Sequence, residues 1–457
     1  MLVPIVCFCI LPARAVTYIS DAERITNTFI LKGKPNMDKI VVKGGATLNG
    51  SVEISGMKNA ALPIIYACVL VEDKCIIENI PDVRDVALSL NLLREMGATV
   101  NVLGKNTVEI DCTNVKCGTS RPELVQKIRA SYYLLGSEFG RFGKANVAYP
   151  GGCDFGGRPI DQHIKGFELL GGSVKADCSH VEIDSEYGPK GTSIFFDIVT
   201  VGATINVMLA AALAEGTTII ENAAREPHIV DLANFLNTCG AHIRGAGTDV
   251  IKIKGVDRLH GCTYAIIPDM IEAGTYMIAA AATGGCVRLT NVIPKHLESV
   301  SAKIEETGAV VDEYDDSVVV TGRETIRKAN VKTHPYPGFP TDMQPQMAVL
   351  LCLANGVSYV SEGVYEKRFR YVEELKKMGA SIRVDGRTAV IEGGKPLHGA
   401  DVLAVDLRAG VAMIIAALCA EGTTEISQIH LIERGYDDVV GKLRSLGADI
   451  EKVSYPD

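Results

Sequence analysis

A ten-residue stretch, 150–159, places a thiol and a guanidinium on a segment that favours neither helix nor strand. It holds four glycines between two prolines, a composition that predicts a loop. Strand-like residues 145–149 precede it and helix-like residues 160–170 follow it, so Cys153 and Arg158 lie at a strand-to-helix junction. The Arg158 guanidinium and the amides at the start of the following helix would lower the pKa of the Cys153 thiol, as happens in reactive cysteines. The alternative is a flexible surface turn with an incidental cysteine.

Further candidates lie at the predicted starts of apolar helices. They are Lys58 with Asn59, Arg129, Thr200, Asp269, Asp342, and Asp406 with Arg408. For Asp269 and Asp406, N-capping explains the residue at least as well as chemistry does. Capping does not explain Lys58, Arg129 or Arg408, because a helix start disfavours a cation unless an anion compensates it. These positions therefore predict a small, enclosed anionic ligand such as phosphate or carboxylate.

The candidates are carried by a repeated framework. An amphipathic helix that runs into Gly-Ala or Gly-Gly and then into a strand occurs six times, with its first glycine at positions 97, 171, 240, 308, 379 and 447. Spacing this regular predicts six copies of one α/β unit. Six units divide most simply into two domains of three, with a ligand-binding cleft between them.

Composition excludes several functional classes. A formal net charge of −9 over 457 residues argues against a broad nucleic-acid-binding surface. The thirteen cysteines show no CxxC pair and no spacing typical of a zinc site, and their odd number suits reduced thiols in the cytosol. We expect no metal, no nucleic-acid partner and no membrane partner.

The N-terminal 36 residues differ from the rest of the chain. Their apolar run lacks a preceding Lys or Arg and is too short to span a bilayer. We interpret residues 1–36 as a disordered extension or a mis-assigned start, with Met37 opening the folded protein. Export by a signal peptide is the alternative.

From Met37 to about Val453 the chain resembles the enolpyruvyl transferases. The phrases that carry the resemblance are residues 55–63, the 150–159 loop, residues 214–227, residues 339–344 (Phe-Pro-Thr-Asp-Met-Gln), residues 406–409 and residues 433–436. The resemblance implies an α/β fold of two inside-out α/β barrel domains, each built from three of the six units. Residues 58–266 would form one domain and residues 37–57 plus 267–457 the other, with the active site in the cleft between them.

The reaction implied by the resemblance moves the enolpyruvyl group of phosphoenolpyruvate to the 3-hydroxyl of UDP-N-acetylglucosamine. Phosphate leaves through a tetrahedral addition intermediate, and no metal or organic cofactor takes part. This would be a cytoplasmic step of peptidoglycan synthesis. Such chemistry needs a base for the hydroxyl proton, an acid for the methylene carbon, and cations for phosphate and carboxylate.

The family pattern assigns roles to individual residues. Asp342 matches the base or proton acceptor at the sugar hydroxyl. Cys153 matches the loop cysteine that donates a proton and is alkylated by fosfomycin. The positions matched to phosphoenolpyruvate are Lys58, Asn59, Arg158, Arg408 and Arg434, and Asp406 lies beside them; Lys58, Arg434 and Asp406 are also expected to act in catalysis. The positions matched to the nucleotide sugar are Asn59, Arg129, Pro159, Ile160, Asp161, Gln162, His163, Thr200, Val201, Gly202, Asp342 and Val364.

Bland explanations stay open for some of these residues. Asp342 could be an N-cap, Arg434 could form a surface ion pair with Glu433, and His163 could be a helix-face histidine without a role. Two positions depart from the family pattern. Tyr133 stands where an indole is common, and Ile198 replaces a lysine, which removes a cation near the uridine.

Two other functions compete with this one. A sibling transferase acts on shikimate 3-phosphate, but it lacks the cysteine loop and the Phe-Pro-Thr-Asp-Met-Gln phrase. A catalytically silent binding homologue would have lost charges at the helix starts. The charges and the thiol are intact at Lys58, Arg129, Cys153, Asp342, Arg408 and Arg434.

Overall fold

The computed structural model describes residues 38–149, 160–177 and 179–454. Cys153, Arg158 and Pro159 lie outside these ranges, as does the N-terminal extension. The described helices are α1 Lys58–Ala67, α2 Arg84–Glu95, α3 Pro122–Val125, α4 Leu134–Phe142, α5 Asp161–Leu169, α6 Val201–Ala211, α7 Pro227–Thr238, α8 Met270–Ala282, α9 Glu298–Glu306, α10 Gln344–Cys352, α11 Val372–Lys377, α12 Leu407–Cys419 and α13 Val439–Ser445. The helix predicted after the loop is α5.

The strands of the described ranges are short. They are β1 Lys39–Lys43, β2 Asn49–Glu53, β3 Lys74–Glu78, β4 Thr99–Gly104, β5 Thr107–Asp111, β6 Lys144–Ala148, β7 Ser173–Ala176, β8 His180–Asp184, β9 Ser193–Phe195, β10 Thr217–Glu221, β11 His242–Arg244, β12 Val250–Lys254, β13 Thr263–Ala265, β14 Cys286–Thr290, β15 Val310–Glu313, β16 Ser317–Thr321, β17 Val331–Lys332, β18 Val357–Ser361, β19 Ser381–Asp385, β20 Thr388–Glu392, β21 Asp401–Leu403, β22 Thr423–Ser427 and β23 Asp449–Val453.

These strands form six small sheets, of which five are mixed and one, made of β6, β7 and β8, is antiparallel. Their orders are β21-β22-β1-β23, β15-β16-β14-β2, β13-β3-β5-β4, β6-β8-β7, β11-β12-β10-β9 and β17-β18-β20-β19. Each sheet is open at both edges, so the described residues form no closed β-barrel. The fold is mixed α/β, as predicted. None of the six described sheets is a closed barrel.

The first two strands pair with strands from much later in the chain. Strand β1 pairs with β22 and β23, and β2 pairs with β14, so the first strands complete sheets built from C-terminal residues. The segment that precedes α1 lies beside the segment that precedes α8. The Met57 amide donates to Ile267 O at 2.7 Å, and the Asp269 amide donates to Ser55 O at 2.9 Å. Helices α1 and α8 therefore begin next to each other.

The helices supply the core and the sheets cover it. Helices α6, α8 and α12 are buried around almost their whole circumference, as expected of helices that are apolar on every side. Strands such as β12 alternate instead, with Ile251 and Ile253 buried and their neighbours exposed. No helix of the described ranges combines the length and apolarity needed to cross a membrane.

Candidate active site

A buried carboxylate, Asp85, joins two of the predicted cations. Its Oδ2 lies 3.3 Å from Lys58 Nζ, and its Oδ1 accepts from Arg434 Nε at 2.9 Å. Asp85 is the second residue of α2 and Lys58 the first residue of α1, while the Arg84 amide donates to Glu433 O at 3.0 Å. That backbone hydrogen bond ties the segment bearing Arg434 to the start of α2. Arg434 is thus paired with the buried Asp85, whereas Glu433, its alternative partner, is paired with Lys452.

A second carboxylate, Asp342, is held by two guanidiniums. Its Oδ2 accepts from Arg408 Nε and Nη2 at 3.1 and 3.0 Å, and its Oδ1 accepts from Arg368 Nη2 at 3.3 Å. The Asp342 side chain retains 29% of its exposure, whereas those of Arg368 and Arg408 retain 1% and 4%. Asp342 lies in the 3-10 turn Thr341–Met343, where its carboxylate makes no cap hydrogen bond. The N-cap explanation for Asp342 is therefore wrong.

Electrostatics link the two carboxylate groups into one site. Burial lowers the pKa of Lys58. The negative charges of Asp85 and Asp342 raise that pKa and the positive charges of Arg408 and Arg434 lower it, so that overall the pKa of Lys58 is below its ordinary value. Burial alone would raise the pKa of Asp342, but the positive charges of Arg408, Arg368 and Lys58 outweigh it and hold that pKa well below its usual range. Asp342 is therefore ionised at neutral pH.

The cation cluster is defined as Lys58, Arg368, Arg408 and Arg434, which are paired with the carboxylates of Asp85 and Asp342. Its members come from the start of α1, the 3-10 turn Arg368–Tyr371, the start of α12, and the segment after the 3-10 turn Ile429–Leu431. Four buried or half-buried cations gathered in one place can attract an anionic group. The arrangement suits a phosphate or carboxylate group.

Asp406 and Tyr436 fix the orientation of Arg408. The Asp406 carboxylate caps α12 by accepting hydrogen bonds from the amides of Arg408 and Ala409 at 2.8 and 2.9 Å. The N-cap alternative for Asp406 is therefore confirmed. The Tyr436 ring lies under the Arg408 guanidinium, with 5.4 Å between the centroid and Cζ. The Tyr436 hydroxyl is in turn bonded to Thr275 Oγ1 at 2.9 Å. Asp269 caps α8 in the same way as Asp406 caps α12.

A second group of predicted residues meets around Tyr132. The Arg129 guanidinium lies 5.5 Å from the Tyr132 ring centroid, and the His163 ring lies edge-on at 5.0 Å. Gly202 packs so closely that an added Cβ would lie 2.3 Å from the Tyr132 hydroxyl. Asn206 on α6 holds the group together, because its amide lies 2.9 Å from His163 Nδ1 and donates to Tyr132 O at 3.2 Å.

Burial keeps His163 neutral. Burial and the charge of Arg129 lower the pKa of His163 to about 3, and Asp161 offsets only part of this effect. The imidazole is thus an uncharged packing and hydrogen-bonding group at neutral pH. This environment fits the alternative of a satisfied histidine better than an acid-base role.

The other predicted nucleotide residues occupy varied environments. Ile160 is buried, Asp161 is exposed, and the Gln162 amide is engaged by Asp161 and Asp197 at 2.8 and 3.0 Å. Thr200 and Val201 are half-buried at the start of α6, and Asn59 is half-buried beside Lys58.

Val364 lies on the segment that approaches Tyr133. The residue after it, Tyr365, interacts electrostatically with Tyr133. Ile198, which replaces the expected lysine, is 57% exposed. An exposed apolar side chain at that position offers no charge to a ligand.

Sequence reasoning missed Asp85, Arg368, Tyr132 and Asn206. Asp85 and Arg368 lie outside the motifs that carry the family resemblance. In the sequence each looks like an ordinary charged residue near a helix start. The only sequence signal for Asp85 would have been the need for a counter-charge, because a buried cation such as Lys58 requires a carboxylate nearby.

The chain is similar to known 1-carboxyvinyltransferases. Residues 42–443 match the family described as EPSP synthase (3-phosphoshikimate 1-carboxyvinyltransferase). The chain is 55% identical over 417 residues to UDP-N-acetylglucosamine 1-carboxyvinyltransferase 2 of Clostridium acetobutylicum, which covers 91% of this chain and 99% of that protein. It is 52% identical to UDP-N-acetylglucosamine 1-carboxyvinyltransferase 3 of Caldanaerobacter subterraneus subsp. tengcongensis, over 91% of this chain and all of the relative.

Solved structures share the fold. The enolpyruvyl transferase NikO from Streptomyces tendae superposes with a TM-score of 0.83 at 27% identity, over 92% of this chain and 100% of that one. EPSP synthase from Acinetobacter baumannii gives a TM-score of 0.71 at 17% identity, over 91% and 100% of the two chains.

Proposed function

Because the chain belongs to the EPSP synthase family of 1-carboxyvinyltransferases, we propose that it transfers the enolpyruvyl group of phosphoenolpyruvate to the 3-hydroxyl of UDP-N-acetylglucosamine. Inorganic phosphate is the second product. The observation that carries the choice of acceptor is the 55% identity, along nearly the whole of both proteins, to a relative named for that nucleotide sugar. The step belongs to peptidoglycan synthesis in the cytoplasm.

Phosphoenolpyruvate binds at the cation cluster. Lys58, Arg408 and Arg434 contact its phosphate and carboxylate, and Asn59 and Arg158 complete the set of residues that bind it. The convergence of these cations supports this role, because the ligand carries both phosphate and carboxylate charge. Cations fixed by Asp85 and Asp342 before the ligand arrives need little reorganisation when charge shifts in the transition state.

Asp342 accepts the proton of the sugar hydroxyl. Its lowered pKa makes it a weak base while Arg408 and Arg368 face it alone. Phosphoenolpyruvate bound to Lys58 and Arg408 compensates part of the positive charge near Asp342, which raises the pKa of Asp342 and strengthens it as a base. The order of events follows from this coupling: the carboxylate becomes basic once the donor substrate is present.

Cys153 supplies the acid chemistry at the methylene carbon, and fosfomycin alkylates it. Lys58, Arg434 and Asp406 complete the catalytic set, Asp406 by fixing the backbone of Arg408.

The nucleotide sugar binds beside Tyr132. Arg129 and the turn Thr200-Val201-Gly202 line this side, together with residues 159–163 and Val364. The packing of Arg129, His163 and Gly202 around one tyrosine supports this placement. Ile198 makes no charged contact with the uridine, so Arg129 is the principal cation on this side.

Six repeated units, three in each of two domains, make up the chain. Residues 58–266 form one domain and residues 37–57 plus 267–457 the other, with the site in the cleft between them. Six small sheets and the pairing of β1 and β2 with C-terminal strands support this division. Lys58 and Asp85 then face Asp342, Arg408 and Arg434 across the cleft.

Phosphate release from phosphoenolpyruvate tests the proposal. The purified chain is assayed with UDP-N-acetylglucosamine and, separately, with shikimate 3-phosphate, and fosfomycin and Cys153→Ser identify the loop thiol. We expect release only with the nucleotide sugar, abolished by fosfomycin through a single adduct that Cys153→Ser does not form. Asp342→Asn should lower kcat by at least about 100-fold, the size expected for a lost general base.

Cys286→Ser serves as the matched control, because Cys286 is an exposed thiol on β14. It should keep both turnover and the fosfomycin adduct. Release with shikimate 3-phosphate alone would reassign the acceptor, and release with neither acceptor would refute the transferase.

A further inference from the structure

Three cysteines that are far apart in the sequence lie close together at the sheet that contains β3. The sulfur atoms of Cys75, Cys239 and Cys262 all lie within 4.8 Å of one another, and those of Cys239 and Cys262 are 3.4 Å apart. Cys75 and Cys239 are buried and Cys262 is half-buried. None of the three has a part in the proposed transfer reaction.

The backbone holds this thiol cluster, defined as Cys75, Cys239 and Cys262, in place. Cys75 lies on β3, Cys239 follows α7, and Cys262 immediately precedes β13, which pairs with β3. The Ile76 amide donates to Cys262 O at 2.8 Å, and the His260 amide donates to Cys239 O at 2.9 Å. The backbone at the three cysteines is therefore held by a strand, by a helix end and by these hydrogen bonds.

We propose that the thiol cluster binds one thiophilic d10 metal ion of the Zn²⁺ class. Metal–thiolate bonds of about 2.3 Å place three sulfurs roughly 3.8–4.0 Å apart, which requires the Cys239–Cys262 pair to open by about half an ångström. Soft thiolates select such ions over Mg²⁺ or Ca²⁺, which prefer oxygen. The half-buried Cys262 side leaves a path for the ion and for a water as fourth ligand.

Proton balance is simple and involves no oxidant. Three S–H bonds break, three sulfur–metal bonds form, and up to three protons pass to solvent. The bound ion would join β3, the end of α7 and the start of β13, and so would stabilise the fold away from the cation cluster.

Cd²⁺ and Zn²⁺ titrations of the full chain test the site, in a Cys153→Ser background so that the loop thiol does not compete. We expect one bound equivalent, an ultraviolet Cd²⁺–thiolate band, proton release, and a rise of several degrees in the unfolding midpoint. Cys239→Ser and Cys262→Ser should weaken Cd²⁺ binding at least 100-fold, whereas the exposed control Cys286→Ser should keep it.

The half-buried position of Cys262 makes Cys262→Ser the variant best able to fold. Without metal its unfolding midpoint should match that of the background, and only the metal-induced rise should be lost. Binding that survives in this variant, or that disappears equally in Cys286→Ser, would overturn the proposal. A Cys239–Cys262 disulfide in the isolated protein, detected as a mass lower by two hydrogens, would also overturn it.

Discussion

Replacing Asp85 by asparagine should destabilise the protein strongly while leaving its shape intact. The carboxylate is 4% exposed and holds Lys58 and Arg434, whose side chains are 9% and 16% exposed, at 3.3 and 2.9 Å. Removing one partner of a buried ion pair costs about 3–5 kcal/mol, because the remaining charge is left buried and uncompensated. The amide oxygen still accepts one hydrogen bond, so we expect a loss of about 3 kcal/mol, at the lower end of that range.

Urea unfolding of wild type and Asp85→Asn measures this loss directly. Glu373→Gln is the matched control, because Glu373 and Lys376 form an exposed ion pair worth less than about 1 kcal/mol. Inorganic phosphate should raise the unfolding midpoint of Asp85→Asn more than that of wild type, since an anion can replace the missing carboxylate. A loss no larger than that of the control, or equal phosphate effects in both proteins, would refute the assigned charge arrangement.

Three further substitutions probe other parts of the site. Arg368→Gln removes one of the cations that lower the pKa of Asp342, so the acidic limb of the kcat/KM–pH profile should move to higher pH; an unchanged limb would contradict the role of Arg368. His163 has a pKa of about 3, below its ordinary 6.5, so only the unfolded state gains its proton between those values and stability falls as pH falls through that window. His163→Gln should remove about 1.4 kcal/mol per pH unit from the slope of unfolding free energy near pH 5, and an unaltered slope would argue against a buried neutral imidazole. Gly202→Ala should displace Tyr132 and raise the KM for UDP-N-acetylglucosamine with little change in the KM for phosphoenolpyruvate, whereas equal changes in both would indicate general damage.

The sequence determined the character of the elements and which of their ends carry chemistry. Helix α5 and the helix after Asp406 were predictable because apolar periodicity, glycine and capping residues act over a few positions. Lys58, Arg408 and Asp342 were recognisable because an uncompensated cation at a helix start, or a complete motif, is visible locally. The capping role of Asp406 was also within reach, since an N-cap bonds only to its own helix.

Tertiary structure alone decided which charges meet. Asp85 and Arg434 are 349 positions apart, and Arg408 reaches Asp342 from another helix, so no local pattern encodes either pair. The sequence likewise showed no metal-ligand spacing, yet folding brings Cys75, Cys239 and Cys262 within 4.8 Å. Sheet pairing sets such contacts, because the register between β3 and β13 depends on the packing of both strands rather than on the residues beside each cysteine.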